Sequence, residues 1–249
     1  MPPPYTQPHY EKFAAIPFQR QLALGKAPSK WVEDLRLHGV PDVAKLPTKP
    51  LDRASVRSIC RDTKMPVLFG YVCAMCWGAQ EKGPRGSKGA TEAWESRNQI
   101  KNYLEALREG NLDRCGAYNL FRNGGKVKGL GPSYFTKLLF FFSPADNFWI
   151  MDQWTGKSIN LLTGSGKNVV RFSGSSPSDQ NKGGNYQAYC QEVDALANLL
   201  KTNGDEIEQR LMSKGKPSPW PWRKHVVASC GYNKAQMKLD YPHINPRQL

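Results

Sequence analysis

The sequence predicts an all-α protein. Three observations carry that reading: apolar residues recur at helical spacing in several segments, capping residues stand at the starts of these segments, and convincing period-two strand patterns are nearly absent. The 249 residues give room for one large domain or for two small lobes sharing a cleft. At 39% apolar and 22% charged, the chain can bury a core and is not globally disordered.

Taken in chain order, the first eight residues, four of them proline, read as an extended arm. Ser29 can cap a helix from Lys30 to His38 that Gly39 ends, and Asp52 can cap Arg53 to Thr63. Pro66 opens Val67 to Ala79, apolar all round and therefore a buried helix. Residues 82–90, KGPRGSKGA, read as a glycine-rich basic loop. Ile100, Tyr103, Leu104 and Leu107 set a helix over Thr91 to Glu109, with Gly110 as its stop. Cys115 to Arg122 and Pro132 to Phe142 read as two further helices, and Gln153 to Leu162 as an amphipathic one. Residues 164–185 read as a long flexible loop. One helical face then carries Tyr186, Tyr189, Cys190, Val193, Leu196, Ala197 and Leu200. The last 39 residues, with seven Lys or Arg against one Asp, read as a basic, partly irregular tail.

Charge narrows the function. Thirty-five Lys and Arg against 21 Asp and Glu leave a formal net charge of +14. Such a field favours a polyanion, most often nucleic acid, although anionic membranes and acidic proteins attract the same charge. Met65 to Ala79 is the longest apolar stretch and is too short for a membrane span, which takes about 20 residues. The N-terminus has no basic flank leading into a hydrophobic segment, so no secretory signal is read there. Six scattered cysteines read as free intracellular thiols. Cys73 and Cys76 form a lone CxxC inside an apolar helix, where buried structural thiols are the reading over zinc or redox chemistry. No credible metal-ligand cluster appears, so neither metal nor cofactor is expected. Gly164-Ser165-Gly166-Lys167 and Gly156-Lys157-Ser158 resemble the end of a phosphate-binding loop. Both lack its first glycine, the positions being Leu161 and Met151.

Chemistry concentrates in residues 115–162. A helix, the turn Gly129-Leu130-Gly131 and a second helix opened by Pro132 form a helix-hairpin-helix. Its glycines bare backbone amides at a helix N-terminus, where the dipole suits a phosphate, and Lys126 and Lys128 add charge beside the turn. Taken alone, the turn reads equally well as an ordinary helix-helix connection. Downstream, Phe148-Trp149-Ile150-Met151 leads into Asp152 and the next helix.

That layout, over roughly residues 111–162, resembles the helix-hairpin-helix DNA glycosylase superfamily. Gly-Leu-Gly-Pro-Ser followed by Tyr-Phe-Thr-Lys-Leu-Leu looks like its bacterial branch related to 8-oxoguanine glycosylases. The resemblance implies two helical lobes around a DNA-binding cleft, the hairpin and Asp152 on a lobe of about 91–163, and 1–90 with 164–249 completing the other in a single unit of 1–249. It implies that Asp152 is the catalytic carboxylate; a helix N-cap is the bland use of the same residue, and the two are compatible. Strand-cutting members place a Schiff-base lysine where this chain has Ser133. A hydroxyl forms no imine, so a monofunctional enzyme is expected, with Lys137 one turn on as an exposed or phosphate-facing residue.

Lys157 falls where relatives place a phosphate contact, with a plain surface lysine nearly as good a reading. Cys76 or Trp77 falls at the end of the helix that supplies a wedge into the duplex. Trp149 and Trp154 flank Asp152 as pocket walls; for all three tryptophans core packing is the competing reading. The implied partner is double-stranded DNA containing a modified base, in the cytoplasm of a prokaryote, with no membrane and no obligate protein partner. The base expected from the missing lysine and the polar loop 164–185 is glucosylated 5-hydroxymethylcytosine of phage DNA, in antiviral defence. Repair of 8-oxoguanine is the alternative, and a non-catalytic DNA-binding module is the second.

Overall fold

The computed structural model describes residues 5–20, 25–78, 84–124, 126–164, 168–213 and 221–230, with side chains left aside at 84–87. The described residues are mostly helical. In order they form α1 (Gln7–Ala14), α2 (Pro28–Leu35), α3 (Arg53–Arg61), α4 (Val67–Gly78), α5 (Pro84–Glu95), α6 (Arg97–Arg108), α7 (Arg114–Asn123) and α8 (Pro132–Phe142). Then follow α9 (Gln153–Thr163), an antiparallel ribbon of β1 (Phe172–Ser173) and β2 (Ser176–Pro177), α10 (Gly183–Leu199), α11 (Gly204–Met212) and α12 (Pro221–Ser229). The all-α class stands.

Local chemistry sets the helix starts. The Asp52 carboxylate accepts the Ser55 N–H, Asp113 accepts that of Gly116, and the Asn203 side chain accepts that of Glu206. Several readings change: residues 7 and 8 of the arm already belong to α1, and α2 starts at Pro28 with Ala27, not Ser29, as its N-cap. α2 ends at Leu35, because Arg36 turns left-handed at φ 52°. Residues 84–90 are helical rather than loop, and a break at Ser96 separates α5 from α6. Part of 164–185 folds into the ribbon, stitched by Asn181, whose side chain bonds Arg171 N–H and the Arg171 and Ser178 carbonyls. The basic tail contains α12, which buries Trp222 edge-on against Phe13, while His9 Nδ1 meets His225 Nε2 at 2.9 Å. Residues 1–4 of the arm and 231–249 of the tail lie outside the described residues.

The apolar helix α4 is packed by α2, α3, α6 and α8, and α10 is packed by α7, α9 and α11. α8 touches α3, α4, α6 and α7, so the second hairpin helix ties these groups together. Packing crosses both 91 and 163, and the apolar core is continuous across them. Cys73 and Cys76 are buried free thiols, and burial pushes the Cys73 thiol up to about 12. No helix among the described residues is long and apolar enough to cross a membrane.

Candidate active site and nucleic-acid interface

The hairpin forms as the glycines demand. Gly129 has φ +79°, and a Cβ there would lie 2.1 Å from the Gly89 carbonyl oxygen of α5. Leu130 buries its side chain under the turn and donates its N–H to the Val127 carbonyl. Gly131 is the N-cap of α8, and a Cβ on it would meet nothing within 4 Å. The turn therefore has a packed side and an open side. Lys126 and Lys128 are exposed on it, and both are paired: Lys126 Nζ to Asp179 Oδ2 at 2.5 Å, Lys128 Nζ to Glu92 Oε1 at 3.0 Å. Between turn and ribbon runs a groove of about 440 Å³ bordered by Lys126, Gly129, Gly131, Ser133, Ser173 and Ser176.

Asp152 is held by its backbone neighbours. The extended run before it is buried, and side chains from three helices satisfy its polar groups. Tyr186 Oη donates to the Trp149 carbonyl at 2.9 Å, and Tyr189 Oη to the Ile150 carbonyl at 2.7 Å. The Met151 N–H donates to Thr136 Oγ1 at 3.2 Å. Asp152 then caps α9: its Oδ1 accepts the N–H groups of Trp154 at 2.7 Å and Thr155 at 3.1 Å. Thr155 Oγ1 in return accepts the Asp152 N–H at 2.9 Å and donates to the Ile150 carbonyl at 2.8 Å. The side chain is only 7% exposed, and Oδ2 receives no hydrogen bond from the described residues. The carboxyl group is thus oriented, with one oxygen committed to the helix terminus and the other without a hydrogen bond from the described residues.

Several expected side chains stand elsewhere than their sequence reading. Lys137 is 8% exposed, not a surface lysine: its stem crosses Gly78, where a Cβ would come 2.7 Å from Cδ, and Nζ lies 5.0 Å from the Tyr134 ring centre. It shares a face of α8 with the half-buried Ser133, one turn away. Lys157 is 6% exposed, with Nζ 5.0 Å from the Trp154 ring and 5.7 Å from that of Phe172. Burial under the ribbon removes the surface-lysine reading and puts aromatic faces around the cation. Cys76 is fully buried, and Trp77 packs edge-on to Phe141 in the core, so neither stands out as a wedge.

Trp149 is a core residue; its Nε1 donates to Asp194 and its ring lies against Gly204. Trp154 stays beside Asp152, with the Arg223 guanidinium 4.5 Å from its ring centre. Sequence reasoning missed Thr136, Thr155, Tyr186, Tyr189 and Glu208. The Asp-x-x-Thr capping pattern was the available signal for Thr155, whereas the two tyrosines register only as part of an apolar face. Glu208 is fully buried beside Arg53, and burial pushes its carboxyl up to about 7, with the Asp205 and Asp152 charges adding to the shift.

Fold and site together define an all-α protein with a helix-hairpin-helix and a capped, nearly buried aspartate downstream of it. The family described as "Putative 8-oxoguanine DNA glycosylase OGG-like protein" matches residues 19–212, and the chain belongs to it. No curated protein and no solved structure matches the chain.

Proposed function

We propose that this chain is a monofunctional DNA glycosylase that hydrolyses the bond between deoxyribose and a modified base flipped out of duplex DNA. The observation that carries the reading is Asp152, a nearly buried carboxylate fixed through one oxygen at a helix N-terminus beyond the hairpin. As the N-glycosidic bond breaks, its electron pair leaves with the base and positive charge grows on the sugar. An anion beside that sugar lowers the barrier and aligns a water. The water oxygen bonds to C1′, one water proton passes to the carboxylate or to solvent, the base is protonated, and an abasic site remains.

The open side of Gly131 and the Ser133 N–H in the first turn of α8 supply a phosphate seat; Pro132 carries no N–H, and the Tyr134 and Phe135 N–H groups already donate to the Gly131 carbonyl. Ser133 supports hydrolysis without an imine, because its hydroxyl cannot replace the lysine of strand-cutting relatives. The likeness of the hairpin motif to the bacterial branch supports prokaryotic DNA as the substrate, and the reading calls for neither metal nor cofactor.

For the base we adopt 8-oxoguanine, which fits the family description. The glucosylated cytosine reading rests on the branch resemblance, the missing lysine and the polar groups of 164–185, two of which are engaged within the chain. Asp179 is engaged with Lys126, and Asn185 with the Val169 carbonyl and the Lys182 N–H. The test is incubation with matched duplexes carrying 8-oxoguanine, cytosine, 5-hydroxymethylcytosine or its glucosylated form, followed by mass spectrometry of released bases. Release of 8-oxoguanine is expected. Release from the glucosylated duplex alone returns the chain to phage defence, and binding without release from any duplex reduces it to a DNA-binding module.

A further inference from the structure

α3 carries Arg53, Arg57 and Arg61 at four-residue spacing, so they lie along one face. With Arg20 they border a cavity of about 320 Å³, whose acidic members are Asp52 and, from α11, Asp205. Both carboxylates are already occupied. Asp52 Oδ1 accepts the Ser55 N–H at 2.7 Å, and Asp205 accepts Arg53 Nε at 2.8 Å and Gln209 Nε2 at 2.7 Å. Glu208 takes Arg53 Nη2.

Arg57 is left poorly matched. Its nearest carboxylate oxygens, on Asp146 and Asp205, stand at 3.7 and 3.8 Å, too far for hydrogen bonds. Its guanidinium lies 4.0 Å above the Phe140 ring centre, beside that of Arg53 at 3.9 Å. Two cations thus share one ring, and burial lowers the Arg57 pKa from its ordinary value. Three buried donors, Arg53 Nη1, Arg57 Nε and Arg61 Nε, have no acceptor among the described residues. Buried guanidinium donors without acceptors are costly, and crowded cations around a void are stabilised by a multi-oxygen anion. Planar guanidinium forks match phosphate oxygens in particular.

We propose that the cavity between α3 and α11 binds a phosphate group, held by Arg20, Arg53 and Arg57. The site is separate from the hairpin's phosphate seat and does not depend on the glycosylase reading. Arg53 links it to Glu208, whose carboxyl is raised by burial and in part by the Asp152 charge. The phosphate comes either from a DNA backbone or from a small phosphate ester.

Phosphorus NMR line broadening of inorganic phosphate, at fixed ionic strength, reads the site directly. Wild type is expected to broaden the signal saturably, and so is a Lys126→Gln/Lys128→Gln double variant, which spares the cavity. Arg57→Gln should weaken binding at least about tenfold. Arg20 is exposed, so Arg20→Gln tests the same loss without threatening the fold. Displacement of phosphate by unmodified duplex assigns the site to the DNA backbone; persistence with duplex bound assigns it to a small phosphate ester. Equal broadening by wild type and both arginine variants, or none by wild type, overturns the proposal.

Discussion

Asp152 and Thr155 hold each other: the Thr155 hydroxyl accepts the Asp152 N–H at 2.9 Å, and the Asp152 carboxylate accepts the Thr155 N–H at 3.1 Å. Thr155→Ala removes the hydroxyl half of this exchange and leaves the buried Asp152 N–H without its acceptor. A loss of about 1–3 kcal/mol in unfolding free energy is expected. Single-turnover base release should fall while DNA affinity stays unchanged, because the carboxylate loses its fixed direction and the hairpin is untouched. Denaturant melts and single-turnover rates on one preparation check both halves.

The hairpin glycines should respond in opposite ways. Gly129→Ala forces a side chain into φ +79° and against the Gly89 carbonyl, so several kcal/mol of stability should be lost. Gly131→Ala has open space around its Cβ and a φ of −77° that any residue adopts, so its melting temperature should stay close to that of wild type. Gly131→Phe should also fold, yet bind DNA more weakly by obstructing the phosphate. Thermal melts and binding isotherms on the three variants separate fold from interface.

In the free protein Asp179 competes with DNA for Lys126. Asp179→Asn should raise duplex affinity a few-fold at low salt, since an exposed pair contributes little to stability and a freed lysine can displace one more counterion. The slope of log affinity against log salt should steepen by about one. Titrations at several salt concentrations read both quantities.

Glu208 makes stability fall as pH rises. Its carboxyl is raised from 4.5 to about 7, so between those values the folded chain holds a proton that the unfolded chain has lost. The stability associated with that proton is full below about pH 4.5 and is lost as pH rises through about 7. Glu208→Gln keeps the neutral shape at every pH, so the variant should gain on wild type steadily from pH 5 to pH 7.5. His225, whose pKa burial lowers, gives the opposite trend, but both proteins share it and it cancels in the difference. Paired thermal melts across that range measure the gap.

The hairpin, α8 and the capped start of α9 were legible in the sequence because each is punctuated: glycine at the turn, Pro132 at the first helical position, Asp152 before an amphipathic run. α5 was not, because Gly89 serves a close backbone approach to Gly129 rather than a loop, and the charges of the helix mask the period. The ribbon is too short to show an alternating pattern. Lys137 and Lys157 read as phosphate-facing or plain surface residues because lysine usually keeps its charge in water. Their burial depends on Gly78, Tyr134, Trp154 and Phe172, aromatic or small partners that only the tertiary fold brings together. Tyr186 and Tyr189 share one helical face with Val193, and nothing in that spacing announces hydroxyls aimed at the run before Asp152.

In the proposed function the Asp152 carboxylate drives base release by water. The most direct measurement compares wild type and Asp152→Asn in single-turnover reactions, both saturated with the duplex that wild type processes, with borohydride added to parallel samples. The account predicts equal DNA binding and excision at least about a hundredfold slower in the variant. It also predicts abasic product that breaks only after alkali or heat, and no borohydride-trapped adduct with wild type. Excision by Asp152→Asn at the wild-type rate, or an efficiently trapped adduct pointing to Lys137, would contradict it.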